Sequence, residues 1–142
     1  MKVEQLSVFL ENKVGRLGEV TGILADHGIN IKALSLADTS EFGILRLIVD
    51  KHEEAQEALK AKGFTVGRTC VVAVEVSHSP GGLHAILRIL EERGINVEYM
   101  YGFPNKNAEA VIVFRFDRPE LAVEILQQKG VRIFSCDEIC KA

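Results

Sequence analysis

A short turn near the amino terminus has the residue types needed to hold a carboxylate. Residues 11–17 read ENKVGRL and lie between an apolar run and a predicted helix. Gly15 lets the backbone turn sharply and lets a ligand approach the first amides of that helix. Those amides have no acceptor within the helix and lie at the positive end of its dipole. An α-carboxylate fits there for the same reason that a phosphate does.

Two asparagines offer the complementary chemistry. The side-chain amides of Asn12 and Asn30 can accept from an ammonium group and donate to a carboxylate. A few charge-assisted hydrogen bonds of about 1.5 to 3 kcal/mol each, less the entropy of capture, give micromolar to millimolar affinity. These residues therefore predict a site for a free amino acid.

The chain repeats itself, and the repeat sets the domain organisation. Residues 14–17 align with 80–83, and 28–31 align with 94–97, at an offset of 66 residues (81 − 15 and 94 − 28). The second half of each copy aligns at 67, because the turn at 103–107 has one extra residue. A fixed period indicates repeated structural units. The sequence predicts two modules, residues 1–68 and 69–142.

Each copy is predicted to run strand, helix, strand, strand, helix, strand. The first helix of copy two carries one apolar stripe, and both first helices should end at left-handed glycines, Gly28 and Gly94. The second helices are predicted to be capped by Asp50 and Asp117, with a glutamate three residues later in each, and to end at glycines. The predicted strands are 5–10, 31–37, 43–49, 70–76, 97–102, 110–116 and 131–134, and 64–76 has no clear break.

The asparagine–glycine turn, the segment GINI at 28–31 and the βαββαβ order resemble the ACT domain, a regulatory module of many amino-acid biosynthetic enzymes. The resemblance implies two α+β, ferredoxin-like modules in tandem, with antiparallel sheets and helices on one face. It implies that a ligand, commonly an amino acid, lies between modules, held by the strand 1–helix 1 loop of one and by strand 2 of its neighbour. The implied contacts are Asn12, Val14, Gly15, Arg16, Leu17, Asn30 and Ile31, and in copy two His78, Pro80, Gly81, Gly82, Leu83, Asn96 and Val97.

Both turns depart from the family pattern. Val14 replaces the usual proline, and His78 stands where the motif has its first asparagine. These departures leave open whether either turn binds the usual ligand, binds a different one or has lost binding. In the competing interpretation the turn glycines only permit a strand-to-helix bend, and Asn30 and Asn96 only turn the chain.

Composition and charge narrow the function classes. The 142 residues are 47% hydrophobic and 26% charged, the balance of a globular protein with a core. A net charge of −3 with interleaved acidic and basic residues disfavours nucleic acid. In RNA-recognition modules the third strand carries aromatic residues that stack on bases, but the first copy's third strand has no aromatic residue and the second copy's lacks the glycine pattern. With no signal peptide and no run of roughly 20 apolar residues, we expect no membrane partner and a cytoplasmic location.

Nothing in the sequence assembles a catalytic or metal site. The four histidines are scattered, although His78 and His84 flank one turn, and the glycines lack a nucleotide-binding pattern. Three cysteines without a CxxC pair indicate reduced thiols, and Cys136 with Cys140 is a weak metal pair. We therefore expect no enzyme activity, no metal and no cofactor.

These observations favour a tandem ACT protein that senses a free amino acid. Without a catalytic domain its signal must pass to a separate metabolic enzyme or regulator, and we expect a homodimer. The alternative is a structural or adaptor module that mediates protein association with empty loops.

Overall fold

The structure is a computed structural model that describes residues 2–38, 41–105 and 109–140. Within these residues the chain forms seven strands and five helices. In chain order they are β1 (Val3–Glu11), α1 (Arg16–Asp26), β2 (Ile31–Asp38), β3 (Phe42–Val49), α2 (His52–Ala61), β4 (Thr65–Val76), α3 (Gly82–Glu92), β5 (Val97–Phe103), β6 (Ala110–Phe116), α4 (Pro119–Gln128), β7 (Ile133–Phe134) and α5 (Cys136–Cys140).

The chain divides into two compact units, whose main segments are Glu4–Thr69 and Cys70–Ile139. We call them the amino-terminal and carboxy-terminal modules. In the first, β3 pairs antiparallel with both β1 and β2. In the second, the antiparallel order is β5, β6, β4, β7. The predicted class of two βαββαβ modules with antiparallel sheets is confirmed.

Each module has its own apolar core between its sheet and its two main helices. In the amino-terminal module, inward residues of β1 and β3 pack with Val20 and Leu24 of α1 and Leu59 of α2. In the carboxy-terminal module, the rings of Phe114 and Phe116 stack with their centroids 5.2 Å apart and pack against α3 and α4. Burial follows the two-residue alternation of the strands, which leaves one face of each sheet for the helices. The predicted placement of helices on one face is therefore confirmed.

The first helices end as the glycine pattern predicts. Gly28 has φ 66° and Gly94 has φ 69°, both left-handed. After each glycine an isoleucine amide, of Ile29 or Ile95, donates to a carbonyl in the last turn of the helix. This 6→1 bond is the Schellman motif. The second helices end at left-handed glycines too.

The predicted aspartate caps of the second helices are wrong. The residues at the helix starts are Lys51 and Arg118, and neither makes a side-chain capping bond. Asp50 Oδ1 instead accepts a hydrogen bond from the backbone amide of Asn30 at 2.9 Å, and Asp117 Oδ1 accepts one from the backbone amide of Asn96 at 3.0 Å. Each aspartate ties the end of strand three to the start of strand two, because these ends are neighbours in the sheet.

The last strand of each copy differs from the predicted one. The first copy ends in the first half of β4, and the second copy ends in β7. β4 runs as one strand of 12 residues, so the apolar run without a clear break is continuous in the structure. β7 has only two residues, shorter than predicted at 131–134. The chain then forms α5, which was not predicted. Its start is a capping box, in which Ser135 Oγ accepts from the Glu138 amide at 3.2 Å and Glu138 Oε1 accepts from the Ser135 amide at 3.0 Å.

Candidate functional site

The amino-terminal turn presents backbone donors at the start of α1. Gly15 has φ 92°, and its carbonyl accepts the first helical bond, from the Glu19 amide at 3.0 Å. Among the residues that the structure describes, no acceptor faces the amides of Leu17 and Gly18. Two neighbouring donors at the positive end of a helix suit a carboxylate.

A small cavity adjoins this turn on the helix-covered face of the sheet. Its volume is about 80 Å³. The turn closes it at one side, and the ends of β1, β2 and β3 form its floor. The lining residues are Leu10, Glu11, Asn12, Lys13, Leu17, Leu36 and Gly43. Asn12 and Leu17, two of the predicted site residues, thus meet at one cavity, together with Leu36 and Gly43, which sequence reasoning missed.

Arg16 is engaged by its own module. Its guanidinium lies over the Phe64 ring, 4.7 Å from the centroid, and Nη1 is 2.9 Å from Glu19 Oε2. Nη2 lies 3.7 Å from Glu11 Oε1, whereas the buried Nε has no hydrogen-bond partner among the described residues. Two carboxylates therefore balance its charge, and a ligand carboxylate would compete with them.

The other predicted contacts of this turn are exposed. Val14 is fully exposed. The Asn12 side chain is exposed too, and the Asn12 backbone amide donates to the Glu41 carbonyl at 3.0 Å. Lys13 Nζ lies 3.4 Å from Glu11 Oε2 at the rim. The turn thus leaves the Asn12 side chain and the Val14 side chain open to a ligand or to another protein surface.

Asn30 and Ile31 lie at the opposite end of the same sheet. The β1–β3 register pairs Glu11 with Phe42, and the β2–β3 register pairs Ile31 with Val49. Seven residues of β3 separate the two ends, which is roughly 24 Å. Within one module the structure does not bring Asn30 to the turn.

The carboxy-terminal turn is built differently. Gly81 has φ 85°, like Gly15. A Cβ on Gly82 would lie 2.0 Å from the Ser77 carbonyl oxygen, so no side chain fits at the place that Arg16 occupies in the first copy. The His78 amide donates to Glu109 Oε2 at 2.8 Å. This turn therefore has no arginine and one amide already bonded to a carboxylate.

The two remaining predicted residues of this turn differ in exposure. Pro80 is exposed, and Leu83 packs partly buried against the module core.

A larger cavity adjoins the carboxy-terminal turn at the corresponding place. Its volume is about 440 Å³. His78 lines it, as Asn12 lines the first cavity. Gly102 stands where the first copy has Leu36, and Ala110 stands where it has Gly43. The residues lining it are His78, Gly102, Phe103, Pro104, Asn105, Glu109, Ala110, Val111 and Ile112.

Asn96 and Val97 again lie at the far end of their module. They line a separate cavity of about 390 Å³ near the end of α3, with Leu90 and Gly94 among its other residues. The structure therefore separates the turn residues from the strand-two residues in both modules. A ligand that touches both sets needs them from two different modules.

Tyr99 and Tyr101 do not face the helix-side cavity. They pair in register with Arg115 and Val113, whereas their neighbour Met100 pairs with the core residue Phe114. Side chains alternate along a strand, so both tyrosines lie on the sheet face away from the helices.

Two carboxylates with a shifted pKa lie away from the turn cavities. The pKa of Glu138 is lowered because its carboxylate accepts hydrogen bonds from the Ser135 backbone amide and from Arg132. The pKa of Glu120 is lowered because its carboxylate bonds Lys2, and neither glutamate lines a turn cavity.

The described part of the chain shows no group of three metal-ligating side chains. No helix among the same residues is long and apolar enough to cross a membrane.

Two βαββαβ modules with glycine turns at their first helices define a tandem of ferredoxin-like modules. The chain belongs to the family described as ACT domain pair, which matches residues 1–141. The family resemblance drawn from the turns and the repeat is confirmed. No curated protein sequence gave a significant match.

Solved structures share this fold over most or all of the chain. Protein BT0572 from Bacteroides thetaiotaomicron is 42% identical, with a TM-score of 0.94 over 100% of this chain and 98% of that one. The ligand-free regulatory subunit of aspartate kinase from Thermus thermophilus is 19% identical, with a TM-score of 0.64 over 88% and 91%. The corresponding subunit from Thermus flavus is 17% identical, with a TM-score of 0.62 over 89% and 92%. At 17 to 19% identity, the similarity of this chain to the two kinase subunits is one of fold alone.

Proposed function

We propose that the protein is a sensor that binds a free amino acid at its strand–helix turns. The α-carboxylate lies at the amides of Leu17 and Gly18, and the Asn12 side chain bonds the ammonium group. The observation that carries this proposal is the cavity beside the turn, because it offers room for a side chain next to two amide donors without acceptors. Membership of the ACT domain pair family supports it.

The site is completed by strand two of another module. Asn30 and Ile31 lie roughly 24 Å from the turn of their own module, so we propose that a second copy of the chain supplies them in a homodimer. The equivalent set in the carboxy-terminal module forms a second site. It comprises His78, Pro80, Gly81, Gly82, Leu83, Asn96 and Val97.

The sensor acts on another protein. We propose that it performs no catalysis, uses no cofactor, and transmits amino-acid binding in the cytoplasm to a separate metabolic enzyme or regulator. A ligand shifts the equilibrium between paired and separate chains only by the difference between its binding free energies for those two states, typically about 1 to 3 kcal/mol. The competing proposal is an adaptor whose turns stay empty.

Thermal unfolding with each of the twenty amino acids tests the proposal. A ligand at one hundred times its Kd stabilises the folded state by about 2.7 kcal/mol. We expect at least one amino acid at millimolar concentration to raise the Tm by several degrees. Gly15→Val should abolish that rise, because the branched side chain blocks approach to the helix amides.

A matched control separates ligand loss from backbone strain. Gly130 has φ 78° at a helix end outside both turns, so Gly130→Val introduces similar strain. We expect this variant to keep its ligand-induced rise above its own lower Tm. If no amino acid raises the Tm of the unaltered chain, the adaptor role is favoured. If Gly15→Val responds like the control, the site lies elsewhere.

A further inference from the structure

The helix-free face of the amino-terminal sheet carries two exposed aromatic side chains. Val8 of β1 and Leu45 of β3 face the helices, because both belong to the module core. Side chains alternate along a strand, so Phe9 and Phe42 lie on the opposite face. Phe9 is 47% exposed and Phe42 is 54% exposed. Water therefore reaches about half of each ring.

The strand register places the two rings beside each other. Phe9 pairs with Ile44, and Glu11 pairs with Phe42, so the two phenylalanines are diagonal neighbours on adjacent strands. Such neighbours are about 7 to 8 Å apart, within reach of aromatic side chains. Ala37 of β2 pairs with Ile44 on its other side. We call the surface formed by Phe9, Ala37, Phe42 and Ile44 the aromatic patch; a contiguous exposed apolar surface, unlike a single exposed residue, indicates contact with another molecule.

The second copy shows that the fold does not need these aromatic residues. The residue equivalent to Phe9 is Glu75, at an offset of 66 (75 − 9), and the residue equivalent to Phe42 is Glu109, at 67 (109 − 42). A βαββαβ module therefore forms with a glutamate at both places. The two phenylalanines of the first copy serve something other than the stability of their module.

We propose that the aromatic patch is a contact surface between two copies of this chain, related by a two-fold axis that passes near Phe9 and reverses the strand direction. A two-fold contact brings a surface against itself, so the surface must not repel itself. The patch is uncharged, and the charged residues that share its face of β1 and β3 are Glu11 at one end and Arg46 at the other. The reversed arrangement lays the glutamate end of one copy over the arginine end of the second. Opposite charges then fix the register of the contact.

The area of the patch predicts a weak contact. A phenylalanine side chain can bury about 150 to 250 Å², so two half-exposed rings offer roughly 200 Å² per chain. A stable interface of standard size buries about 800 Å² per partner. The rings therefore form the centre of the contact, where aromatic residues are enriched, and polar neighbours such as Ser7 and Ser35 form its rim. We expect a dimer with a Kd in the micromolar range.

Single-stranded nucleic acid is the main competing occupant, because RNA-recognition modules stack bases on aromatic residues of their sheet. β3 begins at Phe42, one residue before the predicted strand, so the expectation that this strand has no aromatic residue is wrong. The charges nevertheless favour a second copy. Glu41 precedes Phe42 and Glu11 pairs with it, and carboxylates beside the ring would repel phosphates.

The first test removes the apolar contact. Phe9→Glu introduces the residue type that the second copy has at this place, so the module keeps its fold, and the two-fold axis brings two carboxylates together. We expect the dimer Kd, measured by sedimentation equilibrium of the whole chain without added amino acid, to rise at least tenfold. Phe42→Ala, which adds no charge, should raise it at least threefold. Met100→Glu is the control, because Met100 is 41% exposed in β5 of the other module, and it should change the Kd less than twofold.

The second test asks whether the patch meets itself. Chains with Phe9→Glu and chains with Phe9→Lys should each stay monomeric alone, because like charges face each other across the axis. Their equimolar mixture should form a dimer, because opposite charges then meet. A patch that contacts any other surface gives no such rescue.

Three results would overturn the inference: a chain that stays monomeric at millimolar concentration, a Kd that Phe9→Glu leaves unchanged, or oligouridylate binding that Phe9→Glu abolishes. The inference does not rest on the proposed function, because the aromatic patch lies on the face away from the helices and from the cavity at the turn. Failure of the amino-acid screen would therefore leave it standing, and its own failure would leave the sensor standing.

Discussion

At the scale of single residues, Gly15 and Gly82 are glycines for different physical reasons. A Cβ on Gly15 would meet no atom within 4 Å, but its φ of 92° is left-handed. Gly82 has an ordinary φ, and a Cβ there would strike the Ser77 carbonyl. The sequence predicts that both positions need glycine. Only the structure shows that the first is a matter of backbone conformation and the second a matter of space.

Two alanine substitutions, one just before α1 and one inside it, test whether the left-handed backbone at Gly15 is what requires glycine there. Gly15→Ala should destabilise the fold by about 1 to 2 kcal/mol, the cost of a left-handed non-glycine residue. Gly22→Ala, in the interior of α1 with open space around its Cβ, should stabilise it by about 0.5 to 1 kcal/mol. Urea unfolding midpoints measure both. Equal effects of the two substitutions would argue against a strained turn at Gly15.

At the scale of elements, the patterns that repeat locally were predictable and those that depend on strand pairing were not. Helix ends follow from Gly28 and Gly94, because a left-handed residue after a helix is a local requirement. Asp50 has the type and spacing of a helix cap, yet it bonds the Asn30 amide. The sequence alone does not place Asn30, 20 residues away, beside it.

Asp50→Ala tests the role of this aspartate. Loss of the bond to the Asn30 amide should destabilise the fold by about 1 kcal/mol. Asp117→Ala removes the equivalent bond to Asn96 and should have a similar effect, and the two effects should add because each bond lies within its own module. Chemical denaturation provides the measurement. A cap role would instead predict that Asp50→Ala lowers the helix content of the folded chain, measured by circular dichroism.

The same limit explains what the sequence predicted of the candidate site. The turn residues 12–17 are contiguous, so their chemistry can be read along the chain. Leu36 and Gly43 join the cavity through the register of β2 and β3, which the pattern of apolar residues does not fix to the residue. The engagement of Arg16 with Phe64 likewise depends on packing between distant segments.

At the scale of the whole molecule, the two copies share a fold and differ at their turns. The amino-terminal turn carries Arg16 and adjoins the small cavity, whereas the carboxy-terminal turn has Gly82 and adjoins the large one. Under the proposed function, a duplicated module with two unlike turns responds to two ligands, or to one ligand at one turn. The family membership fixes the architecture, and we propose that the turns decide the ligand.

The proposed function depends most on the backbone amides at the start of α1 receiving a carboxylate. The most direct measurement is a crystal structure of the whole chain grown with the amino acid that raises its Tm most. We predict the ligand carboxylate within about 2.7 to 3.1 Å of the amide nitrogens of Leu17 and Gly18. A ligand bound elsewhere, with those amides facing water or the protein's own atoms, would contradict it.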